Sequence, residues 1–227
     1  VRLALFYNEL RENYHVIDKT VLLPGQMLDF PVFFRSGLEL KALPDSSMDS
    51  DGKWEYTGHN GSSDMEMFIG RESLPRYRSL IEDSLREINR TEVTCGVELK
   101  LKAAFLRELT KMTVREILDD PANSVRMMSL KNVINYSIDF ILQNSNAFHS
   151  LMVIQSHDFY TYTHSVNVCT LCVGLGSSIG LPLYPDLYIL GLGGMLHDLG
   201  KKNIDTLILN KPESLNAEEY DTIRKHV

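Results

Sequence analysis

From Leu187 to Leu196 the chain carries no charged side chain, and this run ends abruptly in His197-Asp198, followed by Leu199-Gly200-Lys201-Lys202. A helix this apolar is buried around most of its circumference, so it takes an imidazole and a carboxylate into the interior at its end. Such groups must be paired or must bind metal. Imidazole with carboxylate suits a borderline divalent ion such as Fe, Mn or Zn, and a carboxylate can bridge two ions where an imidazole binds one. A lone His-Asp pair leaves a second reading open, a hydrogen bond closing the helix C-terminus, with Gly200 at the position after the helix.

The rest of the sequence sets the frame for that pair. With 227 residues, 44% hydrophobic and 23% charged, the composition is globular, which excludes disordered and collagen-like classes. No uninterrupted apolar run approaches the roughly 20 residues of a membrane-spanning helix, since Val166 to Leu181 is broken by Asn167, Gly174, Gly176, Ser177 and Ser178. A soluble, cytoplasmic chain is expected. Thirty acidic against 23 basic side chains give a net charge of -7, so no general footprint for DNA or RNA exists and an anionic ligand needs a local positive site. Three cysteines without a secretory leader point to a reducing compartment.

Short runs rich in aromatic and β-branched residues, Val1 to Tyr7, Asp29 to Arg35 and Met65 to Ile69, read as strands. Pro44 to Gly61 reads as a loop, a candidate cover for a site. Leu74, Tyr77, Leu80, Ile81 and Leu85 build the stripe of a helix, and so do Leu101, Phe105, Leu109 and Met112 after Gly96. Met127, Leu130, Ile134, Ile138 and Ile141 mark another. Beyond Asn146, helices are predicted over Ala147 to Gln155, Thr161 to Ile179, Asp186 to Leu199 and from Ala217 onward, the last with Asn216 and Glu219 as a capping box. The expected fold is α+β, divided into an N-terminal α/β module (1–96), a helical connector (97–145) and an all-α domain from 146 to 227. Five of the seven histidines fall in that last part, and chemistry is expected there; His15 and His59, in polar contexts, are expected to be solvated.

His164 begins an apolar helix whose Val168, Leu171 and Leu175 continue its stripe, so on residues alone it reads as a core histidine or as a ligand. The order His164-Ser165-Val166-Asn167-Val168, Leu196-His197-Asp198-Leu199-Gly200-Lys201, Ile208-Leu209-Asn210-Lys211-Pro212 and Lys225-His226 resembles the HD-GYP family of bacterial cyclic di-GMP phosphodiesterases, within the HD metal-hydrolase superfamily. The resemblance covers about Asn146 to Val227, and Asp64 to Ile88 is similar to modules that precede this domain.

The resemblance implies an HD-type helical domain with two divalent ions, Fe or Mn, held by His164, His197, Asp198 and His226, Asp198 bridging. It implies that Lys201 holds a substrate phosphate, with Lys211 a further substrate contact, and that cyclic di-GMP is hydrolysed to pGpG or GMP. The alternative is a catalytically silent module that binds the cyclic dinucleotide or a protein. A regulatory protein partner or a homodimer is expected, with the N-terminal module regulating the site. The family's further ligands, a His pair and a later Asp, would lie beyond His226, so a longer polypeptide is expected. Tyr160 stands where some members carry an extra metal-binding carboxylate, which favours two metals over three.

Cys169-Thr170-Leu171-Cys172 lies mid-helix with no second pair, and reads as core cysteine rather than zinc or redox site. Gly174-Leu175-Gly176 lacks the third glycine and the preceding strand of a dinucleotide fingerprint. His157-Asp158 has no Gly-Lys after it and reads as a surface or supporting pair.

Overall fold

The computed structural model describes residues 10, 13–43, 52–58, 65–90, 96–143, 146–153, 161–181, 183–209 and 211–226. The strands are β1 Tyr14–Ile17, β2 Gln26–Leu28, β3 Val32–Ser36, β4 Glu39–Ala42, β5 Trp54–Tyr56 and β6 Met67–Gly70. The helices are α1 Leu74–Arg90, α2 Gly96–Asp119, α3 Ser124–Gln143, α4 Ala147–Val153, α5 Thr161–Ser178, α6 Tyr184–Leu196, α7 Thr206–Leu209 and α8 Ala217–Arg224. They form two compact units, Val1–Leu109 and Thr110–Val227, with the division inside α2. The fold is α+β, as expected.

In the first unit all pairing among the described strands is antiparallel. One sheet runs β1-β6-β3-β4 and a second pairs β2 with β5. Central β6 is buried at every residue, which explains its uninterrupted Met67-Phe68-Ile69. Ser36 opposite Glu39 leaves a two-residue turn, and Gly37 supplies the left-handed φ of 66° at its first position. Two expectations are corrected. Trp54–Tyr56, inside the segment read as loop, pairs with β2 from Leu28↔Trp54 to Gln26↔Tyr56, because a strand this short carries no periodicity of its own and forms only where a partner edge exists. His15, expected in solvent, is 4% exposed, since its place on β1 opposite Ile69 turns it into the core. There Tyr77 Oη donates to Glu108 at 3.1 Å, and His15 Nε2 lies 3.9 Å from the same carboxylate. Burial, then the Glu108 and Asp18 charges, push the Tyr77 hydroxyl well above the usual phenol value. The expected strand Val1 to Tyr7 and His59 lie outside the described residues.

α2 departs from a one-sided stripe, since every residue from Ala103 to Val114 is buried. In the second unit α3 buries Leu130, Ile134, Ile138 and Ile141 on one face, as its periodicity predicts, together with Val133, whereas Met127, expected in the same stripe, is exposed in the first turn, where the helix starts. α5 and α6 pack closely. A Cβ on Gly194 would sit 3.0 Å from the Cys169 Cα, so glycine there lets the two backbones approach and brings the end of α6 to the start of α5. The core face of α5 is Val166, Cys169, Thr170 and Val173. The expected stripe of Leu171 and Leu175 faces outward instead, at 47% and 62% exposure; an apolar helix offers several equally spaced stripes, and packing against α6 selects among them. Burial pushes the Cys169 thiol up to about 12, in keeping with a core cysteine. Among the described residues, no helix is long and apolar enough to cross a membrane.

Candidate metal centre

Three helices and one tight turn bring three histidines to the two oxygens of Asp198. His164 lies in the first turn of α5, where the chain enters the helix; its side chain is 57% exposed, which excludes the core-histidine reading. His197 is the C-terminal cap of α6. Asp198 follows with φ −102° and ψ 5°, the bridge region between helix and strand, and opens the turn Leu199–Asn203. His226 follows the end of α8.

His164 Nε2 and His197 Nε2 are 3.2 Å apart. Asp198 Oδ2 lies 3.3 Å from His197 Nε2 and 3.7 Å from His164 Nε2, while Oδ1 lies 3.4 Å from His226 Nε2. One buried carboxylate, 4% exposed, thus turns its two oxygens toward different imidazoles. His164, His197 and Asp198 each offer a ligand atom within 4.8 Å of the other two.

The protons support the same arrangement. His197 Nδ1 lies 2.9 Å from the Gly194 carbonyl, and His226 Nδ1 bonds the Ile223 carbonyl. A carbonyl only accepts, so each Nδ1 carries a proton and, in a neutral ring, leaves a lone pair on Nε2. Backbone carbonyls orient metal-ligating histidines in this manner. His197 closes the helix with Nδ1 and faces the cluster with Nε2, while Gly200, expected directly after the helix, lies three residues past this cap in the turn Leu199–Asn203. Lone pairs converging beside a carboxylate repel one another unless a cation or proton lies among them. The donor set fits a divalent ion that accepts nitrogen and oxygen ligands.

Lys201 Nζ donates to Asp198 Oδ2 at 2.8 Å. Burial raises the Asp198 carboxyl, but the Lys201 hydrogen bond and the His197, Lys201 and His164 charges outweigh it and hold the group below the usual carboxylate value. Beside the cluster a cavity of about 740 Å³ is bordered by His197 and His226 together with Leu196, Leu199 and Lys202. Lys201 is not on its wall; Lys202 is, with its Nζ 2.8 Å from the Asp119 carbonyl.

Lys211, the other expected substrate contact, is ion-paired within the protein. Lys211 Nζ lies 2.8 and 2.6 Å from the two carboxylate oxygens of Glu219, so its charge is already matched within the protein. Sequence reasoning found the capping box but missed this link; a lysine eight residues before the capping glutamate was its only signal. It also missed why position 200 is glycine. A Cβ there would lie 2.7 Å from the His226 carbonyl carbon and 2.9 Å from its Cα, too close for any side chain. Tyr160 and His157-Asp158 lie outside the described residues.

No family model matches the chain. Over 86 residues, 38% of its length, it is 42% identical to a cyclic di-GMP phosphodiesterase of Pseudomonas aeruginosa, of which the match covers 20%. Over 76 residues, 33% of its length, it is 37% identical to a 3'3'-cGAMP-specific phosphodiesterase of Vibrio cholerae, covering 17% of that protein. These matches support the HD-GYP family. The chain spans about a fifth of the length of these relatives. The fold is shared with a solved structure: an HDG"Y"P protein from Bdellovibrio bacteriovorus superposes with a TM-score of 0.66 at 21% identity, covering 94% of this chain and 69% of that one.

Proposed function

We propose that the Thr110–Val227 unit holds two divalent ions, iron or manganese, on His164, His197, Asp198 and His226, and hydrolyses cyclic di-GMP to pGpG or GMP. The observation that carries this reading is the convergence of three imidazole Nε2 atoms on the two oxygens of one buried aspartate. Asp198, with an oxygen toward each histidine group, is the residue that would bridge. When bound, such a pair of ions lowers the pKa of water, orients a phosphate and offsets charge on the leaving oxygen. The chain's own residues do the rest: the Gly194 and Ile223 carbonyls set the imidazole tautomers, and Lys201 steadies Asp198 while adding a positive charge where an anionic phosphate arrives. The adjacent cavity of about 740 Å³ falls within the roughly 300–1,000 Å³ usual for small-molecule sites. The Val1–Leu109 unit supplies none of the four donors, and its role in this reading is regulatory.

A second reading, a module that binds the cyclic dinucleotide without hydrolysing it, draws on the donor count. Four side chains, one of them bridging, leave many positions of two ions unfilled among the described residues. Metal analysis of the purified protein, followed by chromatography of a cyclic di-GMP digest, separates the two. Two equivalents of metal with pGpG or GMP produced, both lost in Asp198→Asn, is the expected result. Nucleotide binding without turnover favours the second reading, and absence of metal after loading with Fe or Mn refutes the metal centre.

A further inference from the structure

We propose that Lys211 and Glu219 form a positioning pair that holds His226 at the cluster, a role that rests on the metal-centre reading. The eight-residue α8 has no buried residue. A helix of two turns is not stable alone in water, and this one has no apolar face in the core to fix it. It is held at its two ends. At the start, Asn216 Oδ1 accepts from the Glu219 amide at 2.8 Å, and Glu219 Oε2 accepts from the Asn216 amide at 2.8 Å. Lys211 Nζ then donates to both oxygens of the same carboxylate. These bonds and the Lys211 charge hold the Glu219 carboxyl below its usual value. At the other end stands His226, its Nε2 3.4 Å from Asp198 Oδ1 and its backbone against Gly200.

The lever is short and sensitive. Seven residues separate Glu219 from His226, about 10 Å along a helix, so a tilt of roughly 6° at the clamp moves the imidazole by about 1 Å. Displacements of that size are what ligand geometry does not tolerate. A lysine bonded to both oxygens of a carboxylate also has to break that pair before it can meet a phosphate, which distinguishes Lys211 from a substrate contact. Its action is through His226.

The test uses the full chain. Calorimetric titration with Mn²⁺ should show Lys211→Met weakening metal binding about tenfold, with Lys211→Arg restoring it through a bidentate guanidinium. In a His226→Ala background, Lys211→Met should produce no further loss. Without metal, hydrogen exchange of the α8 amides should quicken in Lys211→Met while that of α3 stays unchanged. Unaltered metal affinity combined with weaker cyclic di-GMP binding would make Lys211 a substrate contact and overturn the proposal. So would an equal loss with and without His226, which would mean that the pair does not act through it. Should the unaltered protein take up no Mn²⁺, the metal centre itself fails, and α8 exchange with the His226 imidazole NMR shift decides the positioning role alone.

Discussion

Gly200→Ala tests whether the site depends on the approach of one backbone to another. Position 200 has an ordinary helical-turn conformation, so alanine is tolerated locally and the whole effect comes from the added methyl group. That methyl would lie 2.7 Å from the His226 carbonyl carbon and 2.9 Å from its Cα, against about 3.5–4.0 Å for a carbon contact. The His226 carbonyl oxygen is nearer still, so relief requires a retreat of well over ~1 Å by the His226 backbone, which carries Nε2 away from its 3.4 Å approach to Asp198 Oδ1. Overpacking of this kind costs about 1–3 kcal/mol, and the lost backbone freedom of glycine in the unfolded chain returns about 0.4–1 kcal/mol. The metal-free variant should therefore be about 1 kcal/mol less stable than the parent, a fall of roughly 2–4 °C in Tm. Metal affinity should drop by about 10–100-fold, the usual effect of disturbing what orients a ligand. Gly193→Ala is the control, because a Cβ there meets nothing within 4 Å; it should gain about 0.5–1 kcal/mol. Calorimetric metal titration and thermal melts of both variants decide the matter. If Gly200→Ala binds metal within twofold of the parent and melts higher, as Gly193→Ala should, the steric argument is refuted.

Asp198→Asn should abolish metal uptake and alter the acid side of the stability profile. The folded carboxyl sits below its ordinary value, so its contribution is present above about pH 4 and lost as pH falls through the folded value. Urea midpoints of the metal-free parent and variant should diverge above that pH and converge below it, and a constant gap from pH 2 to 7 would contradict this. Tyr77→Phe, which takes a hydrogen bond from buried Glu108, should cost about 1–2 kcal/mol in denaturant melts, whereas exposed Tyr136→Phe should be neutral; equal melts would show that the buried bond contributes nothing. With its thiol pushed up to about 12, Cys169 should resist iodoacetamide at pH 8 in the native protein and react once unfolded, as followed by mass spectrometry. Rapid native labelling would show that the helix pair opens.

What was legible in the sequence is local. Helix periodicity located α1, α3 and α6 to within a few residues, because apolar spacing along a helix is set by the backbone's own repeat. The Asn216–Glu219 capping box was readable for the same reason: both its bonds span three residues. The order of the HD-GYP-like motifs named His164, His197, Asp198 and His226, and these four side chains lie together. Tertiary structure decided everything that depends on a distant partner. Trp54–Tyr56 became a strand because β2 offered an edge, and His15 became buried because β1 pairs with β6. α5 turned Cys169 and Val173 inward, and Leu171 and Leu175 outward, because the Cys169–Val173 face packs on α6, where Gly194 and Gly191 leave room for it. The pairing of Lys211 with Glu219 exists because a loop and a helix start meet there. Residues three or four apart are held near each other by the helix itself, whereas a strand edge, a packed face or an ion pair across a loop exists only after remote segments have met.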